Sequence, residues 1–209
     1  MSYYSAYYAI DQKAKYKHFW KYFSDVSEPI LEIGCTTGNF IQWHPKGIVG
    51  VDQDFYALNV AIQRGFTACQ VAVSRGLCFA DESFGGVNCS AVLEHVRDPL
   101  TVLREIRRVL KPGGKAVFLV PDIKRYRFDF WRDYTHVTPF TKEGLERVAV
   151  DAGFTDFQIG RYVFNYLKYL PGSRGARMRV WLDRVEAVIA LLLSKDLVLV
   201  AYKQVECDT

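Results

Sequence analysis

Residues Pro29 to Phe40 read PILEIGCTTGNF: a short apolar strand ends on an acid and breaks at once into a loop of small residues. A second apolar strand, Gly47 to Val51, ends on Asp52. Adjacent parallel strands that carry a small-residue loop and an acid at their carboxyl ends are how an open α/β sheet presents a nucleotide-sized ligand. Glycines let the loop backbone come close to the ligand, and the acid accepts hydrogen bonds from two ribose hydroxyls. The spacing argues against a dinucleotide. A G-x-G-x-x-G fingerprint needs three glycines, and counted from Gly34 its positions hold Gly34, Thr36 and Asn39.

The rest of the chain continues the alternation. A helix over Asp54 to Arg64 is closed by Gly65, and Phe66 to Val73 is predicted as a third strand. A strand over Gly86 to Ser90 follows, then a helix over Leu100 to Leu110 with Asp98 as its N-cap and Pro99 in its first turn. Lys111-Pro112-Gly113-Gly114 stops that helix before a strand over Lys115 to Val120. A helix from Thr141 to Ala152, a strand from Phe154 to Phe164, a helix from Gly175 to Ser194 and a strand from Leu197 to Lys203 complete the pattern. Strands alternating with helices of this length predict a parallel, doubly wound α/β sheet with helices on both faces. Tyr3 to Phe23 carries aromatics at helical spacing with lysines on the other faces. It serves as a structural cap on the sheet, as a lid over the ligand, or as both. The expectation is one domain over 1–209, with 1–24 as the cap or lid and 164–195 as a helical excursion before the last strand.

Charge narrows the partners. Lys and Arg total 27 against 23 Asp and Glu, a formal net charge of +4. That balance tolerates an anionic substrate without specifying nucleic acid, and no nucleic-acid partner is expected. The five cysteines, Cys35, Cys69, Cys78, Cys89 and Cys207, form no C-x-x-C pair and no zinc-ligand spacing with histidine. They read as reduced, mostly buried thiols of a cytoplasmic protein. No signal pattern opens the chain. The longest apolar run, Ala187 to Leu193, falls far short of the roughly 20 residues of a membrane span. A monomer or a homodimer fits equally.

Three further segments carry a family resemblance. Leu31-Glu32-Ile33-Gly34 through Gly38 has the form E-x-G-x-x-x-G, Val92-Leu93-Glu94-His95-Val96-x-Asp98-Pro99 follows at the end of the fourth strand, and Arg108-Val109-Leu110-Lys111-Pro112-Gly113-Gly114 closes the next helix. With Phe79-x-Asp81-Glu82-Ser83-Phe84 between them, the stretch from Leu31 to Phe154 resembles the small-molecule branch of class I S-adenosylmethionine-dependent methyltransferases. The resemblance implies a Rossmann-like, mostly parallel seven-stranded sheet whose last strand is antiparallel. It also implies S-adenosylmethionine as cofactor, and no metal. Carried over, the loop Gly34 to Gly38, with Cys35 and Thr36, would wrap the methionine part, Asp52 would hold the ribose, Gln53 would lie along the adenine, and Glu32 and Val73 would also bind the cofactor. Cys89, Ser90 and Ala91 would line the end of the fourth strand near the transferable methyl. Two departures stand out: Thr36 replaces a usual glycine, and Gln70 to Ser74 contains no acid for the adenine amine.

Methyl transfer to oxygen needs a base, most often histidine. His136, with Asp133 three residues before it to orient the ring, is the first candidate. His95 at the end of the fourth strand is the second, and loop anchoring is the competing role for each. Lys124, Arg125, Arg127 and Arg132 crowd the same loop as His136 and would meet an anionic group on the acceptor. The expected activity is methylation of a small molecule, at an oxygen of a glycan precursor or similar metabolite. The alternative is a degenerate relative that binds cofactor or a partner without turnover. A nicotinamide-dependent oxidoreductase is set back by the failed glycine spacing.

Overall fold

The computed structural model describes residues 16, 19–162 and 194–205. Nearly all of the expected N-terminal helix, most of the excursion over 164–195, His18 and Cys207 lie outside the described residues. Seven strands form one sheet: β1 (Ile30–Ile33), β2 (Ile48–Asp52), β3 (Ala68–Gln70), β4 (Phe84–Ser90), β5 (Leu110–Pro121), β6 (Asp156–Arg161) and β7 (Asp196–Tyr202). Their order is β3-β2-β1-β4-β5-β7-β6. The first five run parallel, while β7 is antiparallel to both β5 and β6. This is the expected doubly wound sheet with an antiparallel final strand.

All four residues of β1 are buried, as a strand covered on both faces requires. One face packs Leu31, Ile33, Val87 and Phe118 against Leu103 and Ile106 of the helix α2 (Pro99–Val109). The other packs Ile30, Ile48 and Val117 against Phe19, Phe23, Phe40 and Leu58, the last from α1 (Phe55–Gln63). Phe19, Phe23 and Phe40 meet with ring centroids 5.5–6.4 Å apart, an arrangement that adds to their area burial. Asp98 caps α2 through the Thr101 amide, and Asp54 caps α1 through the amides of Tyr56 and Ala57.

Some elements differ from expectation. The third strand stops at Gln70, and Val73–Arg75 forms a 3-10 turn; an edge strand has one neighbour to pair with, here β2 through Asp52. The fifth strand begins at Leu110 rather than Lys115. Leu110 pairs with Phe84, and the register shift between Phe84 and Gly86 accommodates the glycine turn. The basic loop after β5 contains α3 (Ile123–Tyr126) followed by a 3-10 stretch, Arg127–Arg132. Asp122 starts α3 by accepting the Lys124 amide at 3.0 Å.

Candidate functional site: a cavity at the switch point of the sheet

Strand order reverses at β1, which lies between β2 and β4. Crossovers leave that point in opposite directions and open a crevice at the carboxyl ends. A cavity of about 860 Å³ occupies it, a size suited to a nucleoside-sized ligand and a second small molecule.

At one end lie Glu32, Gly34, Thr36, Asp52, Gln53 and Val73. Asp52 is held from two sides: Oδ2 accepts the Thr36 amide and Oδ1 the Asp54 amide, both at 2.8 Å. Each carboxylate oxygen keeps a second lone pair, so both can accept from a vicinal diol. Burial pushes the Asp52 carboxyl up, with backbone bonds from Asp54, Thr36 and Gln53 opposing. Glu32 is 4% exposed. Its Oε2 is buried with no hydrogen-bond partner among the described residues. Burial and then the Asp52 charge push its carboxyl well above the ordinary value, while the Ile41 amide opposes them. A buried, orphaned acceptor on a cavity wall calls for a ligand cation or donor. The ammonium of S-adenosylmethionine is such a group, and the Asp52 carboxylate suits its ribose. The residues present fit that cofactor.

Ser90 and Ala91 line the cavity with Val92, whereas Cys89 is fully buried in the core and does not. Cys35 and Gly38 do not line it. The Cys35 thiol is buried in the core against Gly50. A Cβ on Gly38 would meet the Phe66 ring at 2.3 Å, so Gly38 makes room for packing behind the loop. Gly34 does reach the wall, but its constraint is also a protein contact. Its φ is +75°, and a Cβ there would lie 2.6 Å from the Val92 side chain.

The other end is walled by His95, Val96, Arg97 and Thr135. Of the two candidate histidines, His95 lines the cavity and His136 does not. His136 stands behind the wall, its Nδ1–H donating to the Phe130 carbonyl at 2.7 Å and its ring on Phe130 and His95. The His136 amide donates to the Asp133 carbonyl at 3.1 Å, but the Asp133 carboxylate turns elsewhere. Asp133 Oδ1 accepts both the Thr135 amide and the Thr135 hydroxyl, at 2.9 and 2.6 Å. Thr135 Oγ1 lies 2.8 Å from His95 Nδ1. The hydroxyl proton is committed to Asp133, so Oγ1 accepts from His95 Nδ1–H and leaves Nε2 as the basic nitrogen. Burial raises the Asp133 carboxyl, but the two Thr135 bonds outweigh it and the net direction is down. Burial and then the neighbouring His136 push the His95 imidazole down, which favours its neutral form. The chain is clamped around this wall: the amides of Val137 and Thr138 donate to the Glu94 carbonyl at 2.8 and 3.0 Å, and the Thr138 hydroxyl donates to the Val96 carbonyl at 2.6 Å.

The loop arginines are not on the wall. Arg132 pairs with Asp129 at 3.2 Å, and Lys124 with Glu143 at 3.0 Å. Among the described residues, Arg97 is the cationic side chain that lines the cavity. Sequence reasoning passed over Arg97, at the variable position before Asp98, and Thr135, between Asp133 and His136. Tyr16 and Phe19 also line the cavity, so the described end of the N-terminal segment is part wall and, through Phe19, part core.

The comparisons agree with this geometry. A family model described as a methyltransferase domain matches residues 31–118. An uncharacterized protein of Methanocaldococcus jannaschii is 30% identical over 145 residues, covering 64% of this chain and 68% of that one. A thiol S-methyltransferase of Rattus norvegicus is 36% identical over 99 residues, covering 43% of this chain and 41% of that one. Against most curated relatives it matches, the chain spans less than half of their length. The crystal structure of a SAM-dependent methyltransferase from Archaeoglobus fulgidus superposes with a TM-score of 0.73 at 21% identity, over 97% of this chain and 100% of that one. No helix among the described residues is long and apolar enough to cross a membrane. The acid-lined pocket at the switch point, the orphaned Glu32 oxygen, and the matched domain lead to one assignment: the chain belongs to the class I S-adenosylmethionine-dependent methyltransferases.

Proposed function

We propose that the protein transfers a methyl group from S-adenosylmethionine to a hydroxyl oxygen of a small, anionic acceptor such as a glycan precursor. The observation that carries this reading is the continuity of one cavity from Asp52 to His95, with Arg97 beside the histidine. When bound, the cofactor supplies an electrophilic methyl on its sulfonium. Glu32 and Asp52 hold its ammonium and ribose. The Asp133–Thr135–His95 chain faces the acceptor and takes up the proton its hydroxyl loses. Arg97 meets the acceptor's anionic group. Fixing the two reactants in one cavity contributes up to about 7–11 kcal/mol through effective molarity.

An oxygen acceptor is favoured over a thiol by the proton-accepting wall. A thiol ionises near pH 8.5 and needs little help, whereas a hydroxyl needs a base. The test pairs binding with turnover. Asp52→Ala is expected to weaken S-adenosylmethionine about 10- to 100-fold by calorimetric titration. His95→Ala is expected to lower methyl transfer to acidic hydroxylated sugars about 10²- to 10⁴-fold with cofactor affinity kept. Transfer to thiols alone would remove the oxygen assignment. Tight cofactor binding with no transfer to any acceptor class would favour the reading without turnover.

A further inference from the structure

Behind the acceptor end of the cavity, Glu94, His95 and His136 offer ligand atoms that all lie within 4.8 Å of one another. Glu94 and His95 come from the 3-10 turn Leu93–His95 at the end of β4, and His136 from the loop after β5. The two segments are locked together by the bonds from Val137 and Thr138 to the Glu94 carbonyl. Both rings already have their Nδ1 engaged. His136 Nδ1–H donates to the Phe130 carbonyl, and His95 Nδ1–H to Thr135 Oγ1, which is itself tied to Asp133. Metal-binding histidines are oriented in this way, with one nitrogen held by a carbonyl or a carboxylate-linked group and the other turned to the ion. Nε2 is then the atom each ring has to offer, and the ring centroids are 4.8 Å apart. Glu94 is buried, 2% exposed, which gives the cluster a carboxylate little diluted by solvent.

We propose that Glu94, His95 and His136 bind a divalent transition-metal ion on the acceptor wall of the cavity. Two imidazoles and one carboxylate suit borderline ions such as Zn²⁺, Mn²⁺, Fe²⁺ or Co²⁺ and leave coordination positions open. Donors about 2.0–2.2 Å from an ion stand roughly 3–3.5 Å apart, and the three groups stand within 4.8 Å of one another without one. His95 lines the cavity and His136 does not, so the open side of the ion faces the acceptor. With the ion bound, His95 is a ligand. The acceptor hydroxyl coordinates the ion, its proton passes to water, and its oxygen takes the methyl as the carbon–sulfur bond breaks. This catalytic step rests on the methyl-transfer reading; ion binding does not.

The test uses the full chain, stripped with a chelator and titrated with Co²⁺, Mn²⁺ and Zn²⁺ by calorimetry and, for Co²⁺, by visible absorption. One equivalent is expected to bind. His136→Ala should weaken it at least tenfold, and Asp133→Asn by about 10- to 100-fold through the ring it orients. Glu94→Gln provides a second ligand variant. S-adenosylmethionine affinity, measured on the same samples, reports that each variant is folded. Stoichiometric binding absent from the wild type, or unchanged in folded His136→Ala, overturns the site. Ion binding with methyl transfer insensitive to the chelator overturns the ion's catalytic role and returns the base to His95. Ion binding without cofactor binding supports the site and counts against the methyl-transfer reading alone.

Discussion

Thr36 is a β-branched residue with φ +48°, and Ala91 is held at φ +54°. Both line the cavity, and left-handed backbone at non-glycine residues is strain of the kind that collects at ligand sites. At Thr36 its cause is visible: the amide must point at Asp52 Oδ2, 2.8 Å away. A left-handed conformation costs a non-glycine residue about 1–2 kcal/mol, and glycine returns about 0.5–1 kcal/mol of that through its greater unfolded-state freedom. Thr36→Gly is therefore expected to raise stability in urea unfolding by up to about 1 kcal/mol. Cofactor affinity should stay the same, since the bond to Asp52 uses only backbone. A clear loss of stability would show that the threonine side chain contributes more than its backbone costs. The substitution of a usual glycine by Thr36 thus need not impair binding, which removes one motive for reading the chain as degenerate.

At the scale of elements, the motif around Arg108 explains itself as a clamp. Arg108 Nη1 and Nη2 donate to the carbonyls of Phe79 and Leu77 at 2.8 and 2.9 Å, and the guanidinium also binds Asp81 and Glu105. Glu105 in turn accepts the Leu77 amide at 2.9 Å. One fork on α2 thereby fixes the loop that leads from the Val73 side of the cavity into β4. Lysine cannot reproduce a planar fork. Losing two or three hydrogen bonds to a charged donor predicts that Arg108→Lys costs about 2–4 kcal/mol in chemical denaturation, with cofactor affinity falling less than in Asp52→Ala. Such elements were largely legible from sequence because their signals are local. Asp98 and Thr141 announce helix starts within three residues of the amides they cap. The end of β3 was not legible, since it depends on how far β2 offers a partner, and neither was the start of β5, which depends on pairing with Phe84, 26 positions away in sequence from Leu110.

For the molecule as a whole, the two ends of the cavity differ in the same respect. Glu32 and Asp52 sit on two consecutive strands, with Gly34 just past the end of the first, so their grouping could be read from spacing. The acceptor wall joins His95 to Thr135 across β5, and the Asp133–His136 spacing pointed to a partner three residues away when the loop turned Asp133 to Thr135 instead. Glu32 links site and global stability. Its carboxyl is raised by burial first and by Asp52 second, so the folded protein holds a proton there that the unfolded chain gives up near pH 4.3. A raised carboxyl stabilises the fold below its unfolded value, and that contribution is lost as pH rises through the folded value. Without cofactor, the melting temperature of Glu32→Gln should therefore decline less with rising pH than that of the wild type, and lie above it at neutral pH. With cofactor the order should reverse. A ligand at 100 times its Kd stabilises by about 2.7 kcal/mol, and the glutamine lacks the charge that draws the ammonium. The wild-type thermal shift should grow as pH rises from the ordinary glutamate range toward neutrality, while that of Glu32→Gln stays small and flat. Parallel pH profiles for the two proteins, with and without S-adenosylmethionine, would dissociate Glu32 from the ligand and leave it as a buried carboxyl of the sheet.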